Sequence, residues 1–276
     1  MKKKKSIIIL SLSLFVVSLV SYIAFATGNN GEEKNPLDFT LFASNKIQFY
    51  GNGKSGGDVW ANEFLGYFGS SFEVTGNRWS GNDITKSEVI WEGSFAWQNT
   101  AQTNNKNHYI VKNKKEMPQI MNSLKENLKN DGNYTEIGEN EAGKRKDLDF
   151  KDITDAELAL EKSYIVSGNI NGTVKGDLKN NLIAEGNITI NLNNYKNTAD
   201  KQDTSKMKPV IIASNGNINI SGTPVIVGSI YAPNGTVHFR GSGTYVVGSV
   251  VAKNIIVDGA GLYINDGEKI VFKEDL

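Results

Sequence analysis

A short pattern of apolar and polar positions recurs along the chain. Val210-Ile211-Ile212-Ala213-Ser214-Asn215-Gly216-Asn217-Ile218-Asn219-Ile220 returns as Gly228-Ser229-Ile230-Tyr231-Ala232-Pro233-Asn234-Gly235-Thr236-Val237-His238-Phe239. It returns again as Gly248-Ser249-Val250-Val251-Ala252-Lys253-Asn254-Ile255-Ile256-Val257. The alanines stand at 213, 232 and 252, steps of 19 and 20. Weaker copies share the same centre: Leu182-Ile183-Ala184 follows Tyr164-Ile165-Val166 by 18 residues, and Val59-Trp60-Ala61 follows Leu41-Phe42-Ala43 by 18. Each copy holds short β-branched stretches, such as Ile211-Ile212 and Val225-Ile226-Val227, punctuated by Asn215-Gly216 or Ser221-Gly222. Gly and Asn accept the left-handed corners that β-branched residues resist.

Three strands and three turns use up such a period. The expectation is a mainly β fold, a right-handed parallel β-helix (solenoid) with coils of roughly 18–20 residues. In Thr236-Val237-His238-Phe239-Arg240 the alternation sends Val237 and Phe239 inward and leaves His238 and Arg240 to water. Ile218 and Val237 follow their alanines by five positions, whereas Ile255 follows Ala252 by three. A corner absorbs that loss of two residues; a paired strand does not. Antiparallel hairpins in a sandwich are the competing architecture, since Asn-Gly also marks hairpins, but hairpins do not require one pattern every 19 residues.

The pattern is missing from residues 99–162, which predicts a helical excursion on the side or end of the coils. Pro118 opens a helix in which Ile120, Met121, Leu124 and Leu128 share a face, and Gly132 ends it. Thr154-Asp155-Ala156-Glu157 reads as the capping box of a second short helix. Residues 191–208, polar and lysine-rich, read as a long loop. At the other extreme, Lys2–Lys5 precede an uncharged run, Ser6–Ala26, that closes on Ala24-Phe25-Ala26. Residues 1–26 are therefore an export segment, either a signal peptide cleaved before Thr27 or a retained hydrophobic helix serving as membrane anchor. Residues 27–36 form a flexible spacer, 37–98 a Trp-rich set of coils and 163–276 a second set.

Composition narrows the chemistry. The 276 residues carry 30 basic and 30 acidic side chains, and 26 against 30 once Lys2–Lys5 are set aside. That is not the cationic surplus phosphate neutralisation needs, so no nucleic-acid partner is expected. The chain has no cysteine, which removes disulfides, thiolate zinc sites and thiol nucleophiles. With His108 and His238 as the two histidines, no metal and no cofactor are expected. Asp147, Asp149, Asp152 and Asp155 alternate with Lys144, Arg145, Lys146 and Lys151 as a solvated surface does, so no catalytic set is assigned. The 33 asparagines suit hydrogen-bonded ladders along coil corners. Trp60, Trp79, Trp91 and Trp97 all lie in the first half. They form either a carbohydrate- or partner-binding platform or the filling of wide early coils.

Leu41-Phe42-Ala43 through Gly57-Asp58-Val59-Trp60-Ala61-Asn62 resembles the opening coils of exported bacterial β-helical proteins associated with type IV pilus assembly. Gly228–Gly235 and Gly248–Asn254 are similar to that family's closing coils, so the resemblance covers most of 38–265. More distantly the coils look like those of bactofilin-type polymer-forming proteins. The resemblance implies a non-enzymatic cell-surface or pilus-associated structural protein. Its partners would be cell-envelope or pilus-like proteins, its own copies, or the membrane through an uncleaved N-terminal segment. No Gly precedes the hydrophobic run and nothing within it is acidic, which departs from a prepilin. The alternative is a carbohydrate-binding or carbohydrate-cleaving β-helix protein, with a polysaccharide as partner and the Trp-rich half as its site.

Overall fold

The computed structural model describes residues 33–68, 72–82, 108–152, 162–175, 178–193, 210–260 and 262–265. The export segment, the short helix expected from Thr154, most of the loop expected at 191–208, Trp91 and Trp97 lie outside the described residues. Among the described residues no helix is long and apolar enough to cross a membrane. The compact unit that holds the sheet runs from Asn35 to Leu276.

The fold is mainly β: among the described residues eighteen strands hydrogen-bond into one long sheet in which every strand pair is parallel. The pairings sort into three ladders. The first contains β8 (Tyr134–Ile137), β10 (Ser163–Val166), β12 (Leu182–Ala184) and β14 (Val210–Ala213). It continues through the middle of the bent strands β16 (Val225–Ser242) and β17 (Tyr245–Ala260). It then passes to β1 (Leu41–Phe49), β3 (Val59–Ala61), β6 (Arg78–Ser80) and β7 (His108–Ile110). The second runs through β9 (Leu148–Asp149), β11 (Ile170–Lys175), β13 (Ile188–Asn193), β15 (Ile218–Gly222), the later parts of β16, β17 and β1, and β4 (Phe64–Tyr67). The third joins the early parts of β16 and β17 to β18 (Leu262–Asn265), β2 (Gly53–Ser55) and β5 (Phe72–Val74).

The repeat read from the sequence is the register of these ladders. Ala184 faces Ala213, Ala232 faces Ala252, and Ala43 lies between Ala252 and Ala61. Ile212 meets Tyr231 one residue before Ala213 and Ala232. Two residues are missing after Ala252 relative to Ala232 and one relative to Ala43, and both losses fall where the register slips, between Ala232/Thr236 and between Ala43/Lys46. The slip sits at the bend between the first and second ladders, as expected of a corner. That corner is tight enough to need glycine: a Cβ on Gly235, within the slipped segment, would collide with the Gly216 carbonyl oxygen in the bend between β14 and β15.

The order along the first ladder is not the order along the chain. β1 stands beside β17, so the N-terminal strands continue the stack where the C-terminal ones end. β7 and β8, which are consecutive in sequence, then lie at opposite ends. The connection between them runs along the outside of the first ladder as a strap. Val111 N–H bonds to Ser80, Lys115 meets Asn62, Pro118 meets Tyr231, and Lys125 pairs with Glu185 at 3.4 Å. Helix α1 (Met121–Asn130) follows, with Leu124 buried, and ends at Gly132, whose φ of 73° is the left-handed cap foreseen. The excursion is smaller than its sequence pattern predicts, because β7, β8 and β9 all fall inside 99–162 and pair in the ladders.

Among the described residues two large apolar clusters result, beside a small one of Val227 and Val247 with Tyr245. The larger is built from the inward rows, including Ile47, Phe49, Ile188, Ile190, Val237, Phe239, Ile255 and Val257. The second lies between the outward row of the first ladder and the strap: Phe39, Phe42, Trp60, Trp79, Ile183, Ile212, Tyr231 and Val251 pack against Ile120 and Leu124.

Candidate functional site

Each face of the ladders has a different covering, and that decides which side chains remain available. On the first ladder, Phe42, Trp60, Trp79 and Tyr109 occupy one register row. Trp60 and Trp79 stack at 5.8 Å, and Trp79 stacks on Tyr109 at 5.4 Å. The strap closes over Trp60 and Trp79, while Tyr109 at the end of the row stays exposed. Asn62 Oδ1 accepts the Trp60 indole N–H at 2.8 Å and the Lys115 N–H at 2.9 Å, while its amide donates to the Lys115 carbonyl at 2.7 Å. The Lys115 ammonium lies 4.7 Å from the Trp60 ring centroid. Trp60 and Trp79 are 0% and 2% exposed. The expectation of a binding platform at these two positions is therefore corrected. Both are core residues, because their outward faces meet the strap rather than water.

The corner between the first and second ladders is held by side-chain ladders. Asp147 Oδ1 accepts the Asn169 N–H at 2.7 Å, Asn169 Oδ1 accepts that of Asn187 at 2.8 Å, and Asn187 Oδ1 accepts that of Asn217 at 2.8 Å. Asn217 Oδ1 then accepts the Thr236 N–H at 2.8 Å, and Asn45 donates to Asn254 at 2.8 Å. These bonds bind each strand to the next. Asp147 is thus a corner residue, and Asp149 is tied to Lys151 at 2.9 Å, whose backbone and ammonium hold its carboxyl below the usual range. Asp155 lies outside the described residues. His108 opens β7, with Nε2 2.8 Å from Ser80 Oγ.

The outward face of the second ladder carries a mixed cluster. Alternation places His238 and Arg240 outward from β16, Ile256 and Asp258 from β17, and Gln48 with the following Tyr50 from β1. Arg240 Nε donates to His238 Nε2 at 3.4 Å, and Asp258 Oδ2 lies 3.7 Å from the same nitrogen. One nitrogen cannot serve both. Neutral imidazole accepts from Arg240; protonated imidazole would turn toward Asp258 and repel Arg240. Burial first, and Arg240 second, hold the His238 pKa below its ordinary value, against the pull of Asp258. Gln48 Nε2 donates to the Tyr50 hydroxyl at 3.1 Å. The Tyr50 ring stacks on Phe68 at 4.8 Å and 16°, and Phe64 adjoins Phe68 at 6.2 Å. Burial, then Asp258, raises the Tyr50 pKa.

Of these residues the sequence alternation marks His238 and Arg240 as outward. Gln48 carries no such signal, and Tyr50 and Phe68 show only as aromatics of the Trp-rich half, because β1 and its neighbour β17 are remote in sequence. Aligning Ala43 with Ala252 and allowing a one-residue corner puts Gln48 beside Ile256 and Tyr50 beside Asp258. Residues 96–269 match a family model described as a domain of unknown function, DUF7305. No curated protein and no solved structure matches the chain.

Proposed function

We propose a structural role for this chain, which belongs to the DUF7305 family. In this reading the three ladders wind as a right-handed parallel β-solenoid, and the chain is a non-enzymatic, exported cell-surface or pilus-associated protein that presents a rigid face to envelope proteins or to its own copies. The solenoid is supported by the chain's visiting the first, second and third ladders in turn through 41–80, at the spacing of the repeat. Right-handedness follows from the general rule for parallel crossovers. Export is supported by Lys2–Lys5 ahead of the uncharged run Ser6–Ala26, and that segment is a signal peptide or an anchoring helix.

The observation that carries the structural reading is the second ladder's outward face. Its rows run from Asn171 and Thr189 through Asn219 and His238 to Gln48, held in register by parallel pairing throughout. Such a face keeps its spacing without paying the ordering entropy that a loop would lose on binding. Fractionation of cells expressing the full chain tests the assignment: recovery in membrane, wall or medium is expected, and recovery in the cytosol would overturn it. The mass of the mature chain decides between cleavage before Thr27 and retention.

A further inference from the structure

We propose that Gln48, Tyr50, Phe68, Arg240 and Asp258, on the outward face of the second ladder, form a binding site for a neutral saccharide chain. The proposal rests on the reading of this face as the presented one and adds the class of ligand.

The chemistry of the cluster selects the occupant. Tyr50 and Phe68 are half-buried rings stacked face to face, 4.8 Å and 16° apart, so each covers one face of the other and the pair leaves apolar edges and outer-face area of the kind that packs against the C–H face of a pyranose. Beside it stand exposed Arg240 and Asp258 and half-buried Gln48, a guanidinium, a carboxylate and an amide that together donate to and accept from hydroxyl groups. Arg240 faces Asp258 in register, so their charges offset. A phosphate backbone or an anionic lipid surface would call for a cationic excess that this face lacks. An amphipathic helix would call for a continuous apolar stripe, and Ile256 alone interrupts the polar row between His238 and Gln48. The same rows continue at the ~4.8 Å spacing of adjacent strands through Asn219 and Ser221, which offers a repeating polymer further hydroxyl partners along the ladder.

Affinity electrophoresis of the full chain through gels containing soluble β-glucan, xylan, mannan or polyuronate tests the site. The expected result is retardation by at least one neutral polysaccharide that persists at high salt. Tyr50→Ala and Asp258→Ala should each weaken it about tenfold. Tyr50→Phe should keep most of it, and Lys129→Ala, on the strap side, should keep all of it. Thermal unfolding of each variant serves as the folding control. Should Tyr50→Ala fail to fold, Arg240→Ala and Asp258→Ala probe the same site through exposed side chains. Retardation by no neutral polysaccharide, retardation by polyuronate alone with loss at high salt, or binding unchanged in folded Tyr50→Ala and Asp258→Ala would overturn the proposal. None of these outcomes bears on where the protein fractionates, so the structural reading stands or falls separately.

Discussion

Trp60 illustrates how a single side chain fixes two layers. Its ring fills the space between the first ladder and the strap, and its N–H reaches the Asn62 amide that clasps Lys115. Trp60→Ala should cost about 3–5 kcal/mol in chemical denaturation and make the strap protease-sensitive. Tyr231 is the second clasp, its hydroxyl donating to the Pro118 carbonyl. Burial raises its pKa to about 12, so the folded state disfavours the phenolate. Stability tied to this group is intact below pH ~10, the unfolded value, and is lost as pH climbs toward the folded one. Tyr231→Phe should therefore flatten the alkaline limb of the stability profile while lowering stability at neutral pH by about 1 kcal/mol. His238 works with the opposite sign. Its depressed pKa means that the folded state resists protonation, so stability is full above about pH 6.5 and falls as pH drops through that value toward the folded pKa. Urea midpoints at stepped pH should show this loss in the parent and its absence in His238→Asn.

At the scale of elements, the asparagine corner is the repeated unit of cohesion, since each side chain satisfies a backbone N–H of the next strand. Asn187→Ala removes the acceptor for Asn217 and should cost about 0.5–1.5 kcal/mol, with faster hydrogen exchange at that amide as the direct readout. This corner was legible in advance, because Asn and Gly recur at the alanine spacing and the apolar rows between them alternate with period two. The inward rows of β13 and β15, Ile188, Ile190, Ile218 and Ile220, follow from the same alternation, as does helix α1 from Ile120, Leu124 and Gly132. The short strands inside the excursion were not legible. β9 has two residues and β7 three, too few to display a period, and their parallel partners lie 22 and 30 positions away rather than at the spacing of the repeat. The site was legible only by halves. Outward positions could be read from alternation within β16, but Trp60 and Trp79 also point outward, and nothing in their spacing says that a strap covers them while the neighbouring ladder stays open.

For the whole molecule, the seam between β1 and β17 is the joint on which the rest depends. Leu41–Ala43 pair with Val250–Ala252 and Lys46–Phe49 with Asn254–Val257, although no turn connects the two strands. The N-terminal and C-terminal strands therefore share one core only if partners remote in sequence find each other, a long loop closure whose entropy the buried rows Ala43, Ile47, Phe49, Ala252, Ile255 and Val257 must offset. A chain without cysteine lets this be tested cleanly. Lys46 and Asn254 are register partners across the seam, and the ~4.8 Å between adjacent strands lies inside the Cα separation a disulfide spans, so replacing both with cysteine allows one. In the oxidised Lys46→Cys/Asn254→Cys variant, thiol titration and mass should show one intramolecular bond, and the loop it closes should raise stability by about 2–4 kcal/mol over the reduced form. Single-cysteine controls should remain monomeric thiols. Persistence of both thiols in the folded, oxidised double variant would mean that β1 does not lie against β17. The ladder order, and with it the joining of Gln48 and Tyr50 to Arg240 and Asp258 on one face, would then be lost together.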